Sequence, residues 1–258
     1  MSTLDFRPCL DAEARLVNIR SALLRGLDTL PVLPAHGREM VLCCYGPSLA
    51  DTLESAAGDV WSVSGAHDVL LDAGIVPRAH VECDPRPHKA EFLRRPHKDT
   101  TYFIASCCDP AVFDALQGYE VVLWHSDQSD EEAAYVASVD KGAALVLGGT
   151  TVGTRAMSVG SALGYRNFRV LGMDCSFRDR QHAGKHPNDD PNEIEVSVYG
   201  RSFKTTKNLI LQMQDLLRHV SDTQSYRYVL EGDGLMQHVA DNIKHSRVSV
   251  ARRERRAA

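Results

Sequence analysis

The chain has 258 residues, a net charge of −5, a hydrophobic share of 43% and a charged share of 24%. That length can bury a substantial core in one large or two small domains, and the balance excludes a disordered or fibrous chain. The charge gives no global basic field for nucleic acid, and no apolar run approaches the ~18 residues that span a bilayer.

Seven cysteines, an odd number, fit a reduced cytoplasmic protein better than a disulfide scaffold. Met1 to Arg15 carries acidic residues and no apolar h-region, so no secretory signal is expected there. Cys43-Cys44 and Cys107-Cys108 are adjacent pairs in apparent strands, where neighbours face opposite ways, and read as structural.

Asp11 to Leu30 reads as an amphipathic helix through Leu16, Ile19, Leu23 and Leu27, and Pro31 to Gly37 as a linker. Met40 to Tyr45 is the first core strand. Val60 to Ser64, Ala79 to Cys83, Thr101 to Ser106 and Glu120 to His125 follow as strands, with helical stretches Ala66 to Ala73 and Pro110 to Gln117 among them. Asp130 to Ser138 predicts a helix, Ala143 to Leu147 a strand, and Thr151 to Leu163 a helix closed by Gly164. Phe168 to Met173 is a strand. Arg178 to Asn192 is a polar loop, Thr205 to Val220 a helix, and Tyr226 to Leu230 a last strand before a final helix. Strands alternating with helices predict an α/β fold, a doubly wound, mostly parallel sheet. The boundaries are an N-terminal helical extension at 1–36, a Rossmann-like domain at 37–245 and a basic flexible tail at 246–258.

Ligands of such sheets lie at the carboxyl ends of the strands, near a switch in strand order. Two strand–turn–helix units stand out there. Gly148-Gly149-Thr150-Thr151-Val152-Gly153 opens one helix, and Gly46-Pro47-Ser48-Leu49 opens another. Each offers N–H groups and hydroxyls at the positive end of a helix, which suits a phosphate. Neither carries the Gly-x-Gly-x-x-Gly or Gly-Lys-Ser/Thr spacing. Gly149 is expected to let the backbone approach phosphate, so that Gly149→Val would weaken nucleotide binding and spare the fold.

Other strand-end residues are Ser64, Asp84, His125 and Asp174. Ser48, with Asp51 three residues on, reads as a helix cap that can also face a phosphate. Asp84, before a rigid Pro-x-Pro, suits a Mg²⁺ ligand or a ribose contact as well as a plain turn. His182 and His186 lie on a loop rather than a helix, which suits a general base better than a metal pair. Arg201, Lys204 and Lys207 read as solvated charges or as contacts to an anionic leaving group.

In order along the chain, further stretches join the two turns. They are Leu71-x-x-Gly74-Ile75-x-Pro77, Glu82-Cys83-Asp84, Leu163-Gly164-Tyr165, Gly172-Met173-Asp174, His182-Ala183, Tyr199-Gly200-x-x-Phe203-x-Thr205 and Gly232-Asp233-Gly234-Leu235. With these the sequence resembles the motility accessory factor (Maf)-like glycosyltransferases, grouped with the 6-hydroxymethylpterin diphosphokinases. The resemblance implies a Rossmann-like catalytic domain related to sialyltransferases that use a CMP-activated acidic sugar. It implies nucleotide binding at Gly46, Pro47, Ser48 and Leu49 and a loop base at His182 or His186. The pterin kinases carry an Asp-x-Asp-Gly-like signature where this chain has Glu82-Cys83-Asp84-Pro85, which weakens a kinase reading.

Three functions follow from these residues. The first is a nucleotide-sugar-dependent glycosyltransferase with Gly149, Thr150, Thr151, Ser64 and Asp174 completing the nucleotide site. The second is a diphosphokinase using ATP, with Mg²⁺ held by Asp84. The third is a nucleotide-binding module without turnover.

Overall fold

The computed structural model describes residues 9–127, 129–184 and 191–251. The chain opens with α1 (Ala12–Leu23), β1 (Asp28–Thr29), β2 (Glu39–Cys43), α2 (Leu49–Thr52), β3 (Asp59–Val63), α3 (Ala66–Asp72) and β4 (Ala79–Glu82). A 3-10 segment, Pro87–Leu93, leads to β5 (Thr101–Ala105), α4 (Pro110–Ala115), β6 (Val121–Ser126), α5 (Asp130–Val139), β7 (Leu145–Val146) and α6 (Val152–Ala162). Then come β8 (Asn167–Leu171), β9 (Ile194–Val198), β10 (Arg201–Thr205), α7 (Lys207–Asp222), β11 (Arg227–Glu231), α8 (Leu235–Ile243) and β12 (Val248–Ala251).

Ten strands form one sheet in the order β1-β6-β5-β4-β3-β2-β8-β11-β12, with β7 also beside β6, and every pairing in it is parallel. The fold is therefore Rossmann-like, doubly wound α/β. The central strands are continuous apolar runs because both faces are covered. On β2, Met40 and Leu42 point to one face, packed with Ala156, Met157 and Val159 of α6. Val41 and Cys43 point to the other, with Leu49, Ala66 and Leu70. All seven cysteines are free thiols, and all but Cys9 are buried. Among the described residues no helix is long and apolar enough to cross a membrane.

Three segments differ from the sequence reading. The first helix stops at Leu23 because Gly26 takes a left-handed φ of +64°; Asp28–Thr29 then pairs with β6. Leu16, Ile19 and Ala22 of α1 belong to the same core cluster as the sheet, so α1 is packed against it. In the expected flexible tail, Val248–Ala251 forms edge strand β12 against β11, and 252–258 lie outside the described residues. After the polar loop, β9 and β10 form an antiparallel hairpin that the sequence reading left out. Arg201 and Lys204 stand on it and pair with Asp233 at 2.7 Å and Glu193 at 3.0 Å.

A buried polar cluster lies beneath α3. The His67 ring meets the Tyr102 hydroxyl at 3.1 Å, and the His80 ring meets the Ser62 hydroxyl at 3.0 Å. Burial pushes both imidazoles below the ordinary histidine value of 6.5, as it does His125 and His219. A base with a depressed folded pKa is neutral in the native state and takes up a proton on unfolding. Stability is then full above pH 6.5 and falls as the pH drops below it, by up to about 1.4 kcal/mol per pH unit for each such histidine. Glu82 and Asp174, raised by burial, act in the opposite direction. His88 is lowered by burial as well, and with five histidines against two carboxyls the urea midpoint is expected to fall between pH 7 and pH 5. An unchanged or rising midpoint would contradict this.

Candidate active site

Strand order reverses between β2 and β8, and the loops leaving these two strands lie back to back. The Gly46 N–H donates to the Gly172 carbonyl at 2.8 Å. A Cβ on Gly46 would collide with that carbonyl and with the Asp174 carboxylate, so only glycine permits this approach. Gly172 takes φ +67° to turn the chain toward Asp174. The buried Asp174 carboxylate then accepts the Ser48 N–H at 2.8 Å and ties the two loops together. Burial pushes the Asp174 carboxyl up, opposed by its bonds from Ser48.

Above this junction lies a cavity of about 190 Å³. Gly46, Pro47, Ser64, Lys89, Thr151, Asp174 and His182 all reach it. The two turns singled out in the sequence thus open onto one cavity on one rim of the sheet. Val152 and Gly153, the first residues of α6, also line it, and their N–H groups have no hydrogen-bond partner among the described residues. These, not Gly148 and Gly149, are the donors that the turn presents.

The remaining candidates sit elsewhere. Leu49 is a fully buried member of the core beneath α2. Ser48 makes no side-chain cap, because its backbone is already in the αR region; it lines a second groove of about 750 Å³ with Asp51, Arg178 and Asp233. Thr150 turns away from the cavity: Asp215 of α7 accepts its N–H at 2.8 Å and its hydroxyl at 3.1 Å. Gly149 takes φ +85°, and a Cβ there would lie 2.8 Å from the Arg155 side chain. Gly149→Val would therefore strain the fold itself, contrary to the sequence expectation. His125 is buried against the Ser106 hydroxyl at 2.9 Å, away from the cavity. His186 lies outside the described residues.

Asp84 also lies off the cavity lining. Arg86 donates to it at 2.9 and 2.5 Å, and the Lys89 ammonium stands 3.5 Å away. Burial raises this carboxyl, but the two cations outweigh it and hold it below the ordinary range. A Mg²⁺ ion would compete with both cations for this carboxylate, and among the described residues no group of three or more His, Cys, Asp or Glu is arranged to hold a metal. Asp84 is engaged by Arg86 and Lys89, and in this structure it holds Lys89 in place.

Lys89 and Tyr45 line the cavity as well, and the sequence marks neither as a site residue. Lys89 is only 5% exposed and its ammonium lies 5.1 Å from the Phe92 ring, so the cavity has a largely desolvated cation in its wall. The Pro-x-Pro turn after Asp84 signals a rigid bend there, but nothing in the spacing says that a lysine two residues later is buried.

Residues 15–180 match the protein family described as "6-hydroxymethylpterin diphosphokinase MptE-like". The chain belongs to this family. No curated protein is similar enough to be matched. Among solved structures, the Maf glycosyltransferase of Magnetospirillum magneticum AMB-1 is similar in fold, with a TM-score of 0.66 at 16% identity over 93% of this chain. The chain spans 38% of that protein's length. A more distant likeness, with a TM-score of 0.46 and 14% identity, covers 84% of this chain and 86% of the sialyltransferase CstII from Campylobacter jejuni, which was solved with cytidine-5'-monophosphate.

Proposed function

We propose that this chain transfers a sugar, a nonulosonic acid activated as its CMP derivative, to a hydroxyl acceptor. The observation that carries the reading is the convergence of Lys89, the free N–H groups of α6 and His182 on one cavity at the switch point. A donor phosphate there meets a buried ammonium and the positive end of a helix. His182 takes the proton of the acceptor hydroxyl. The acceptor oxygen bonds to the anomeric carbon, whose bond to the phosphate oxygen breaks with the electron pair left on the nucleotide. Lys89 and the helix end offset the charge that develops there. The choice of CMP rests on the motif resemblance, since no base-reading contact is defined.

Family membership favours a second reading, pyrophosphoryl transfer from ATP to a hydroxymethylpterin-like alcohol. The doubly paired state of Asp84 counts against its serving as the Mg²⁺ ligand. The third reading is a binding module without turnover.

A panel of CMP-, UDP- and GDP-sugars and ATP separates the three. A CMP-sugar is expected to raise the thermal midpoint, a ligand at 100 times its dissociation constant adding about 2.7 kcal/mol. It is also expected to be consumed in the presence of EDTA. Turnover of ATP alone, abolished by EDTA, would establish the kinase instead, and stabilisation without consumption would favour the module.

A further inference from the structure

Three consecutive residues of the loop after β8 rest on one residue, Tyr45. The His182 imidazole lies parallel to the Tyr45 ring, with centroids 5.3 Å apart and planes 14° apart. The Ala183 N–H donates to the Tyr45 carbonyl at 2.9 Å. Gly184 lies over the Tyr45 hydroxyl, so that a Cβ there would stand 2.6 Å from it. Tyr45 is itself held from two further strand-end loops. Its ring fills the space where a side chain on Gly65 would sit, and Phe92 meets it edge-on at 5.8 Å. Loops after β2, β3, β4 and β8 therefore meet at this one ring.

We infer that Tyr45 is a positioning residue that fixes the place and the charge state of His182, an inference that rests on the proposed role of His182 as base. Parallel stacking removes the ring's rotational freedom before substrate arrives. The electron-rich face of tyrosine also favours imidazolium over imidazole, which helps His182 keep the proton it takes. The other titratable groups lining the cavity are Lys89, Asp174, Cys44 and Cys175. The Lys89 charge opposes imidazolium. Asp174 supports it only when ionised, and the two thiols are pushed up by burial and stay neutral. The Tyr45 ring acts on His182 in either state of Asp174.

The test uses the whole chain with labelled histidine, the His182 signal among the 11 histidines being assigned by its loss in His182→Asn. In the wild type the stacked imidazole protons are expected upfield. Tyr45→Phe keeps the ring and is expected to keep that shift. Tyr45→Leu is expected to lose the shift, lower the His182 pKa and, with CMP-N-acetylneuraminate as the probe donor, reduce kcat by roughly 10²-fold while CMP binding changes little. An unshifted wild-type signal, or a Tyr45→Leu variant with the wild-type shift and pKa, would overturn the inference. If His182→Asn leaves kcat unchanged, the base role fails, and the hold of Tyr45 is then judged by the shift and the pKa alone.

Discussion

Replacing Lys89 by methionine is expected to weaken binding of CMP and of inorganic pyrophosphate by roughly 30-fold or more. The reason is burial. An ammonium 5% exposed, in the wall of a cavity of about 190 Å³, interacts with an anion far more strongly than a surface lysine does. Truncating one partner of a buried charged pair costs about 2–5 kcal/mol, against about 0–1 kcal/mol for an exposed one. The fold is expected to survive, because Asp84 keeps the two-point contact from Arg86 and methionine preserves the packing on Phe92. Calorimetric titration of wild type and K89M checks this. Equal affinities would mean that the anion binds elsewhere on the rim.

Replacing His182 by alanine is expected to lower kcat by ~10²–10⁴-fold with donor affinity nearly unchanged, the usual signature of a lost general base. Its ring lines the same cavity as Lys89 and Thr151 and is oriented by Tyr45. The comparison variant is His186→Ala on the same loop. His125 is no substitute base, since its buried ring lies away from the cavity, with Nδ1 against the Ser106 hydroxyl. If neither loop variant loses more than a few-fold, the proton goes to a group other than a loop histidine.

Both effects depend on a cavity whose parts were unequally visible in the chain. Gly46-Pro47, Ser64 and Asp174 were identifiable because each follows an apolar strand, and strand ends are where such sheets bind ligands; Thr151 was identifiable as the opening of a helix after a glycine turn, and His182 by its polar loop and the family resemblance. Lys89 and Tyr45 were not, because a lysine beyond a proline turn and a tyrosine at a strand end look the same whether exposed or buried. Asp84 was legible as a rigid carboxylate, but its two cationic partners are set by the 3-10 segment that folds Lys89 back toward it. The β9–β10 hairpin had a readable signal, Ile194, Val196 and Val198 alternating with Glu195 and Ser197 before Tyr199-Gly200, which the polar-loop reading stopped short of.

By itself, then, the sequence determined the class of fold, because local patterning is a local property. Runs such as Met40–Cys43 and Val60–Val63, bounded by turn residues, read as strands covered on both faces, and the four- and three-residue spacing of Val152, Ala156 and Val159 reads as the core-facing side of a helix. Strand order was decided by tertiary structure alone, since nothing within β2 or β8 states that they are neighbours across 123 or more intervening residues. That adjacency creates the switch point and brings Gly46 onto Gly172. It lets Asp174 tie down Ser48 and turns separate loops into one site. Burial of a charge and stacking of two rings are likewise properties of what surrounds a residue, and surroundings are settled only when the chain has closed.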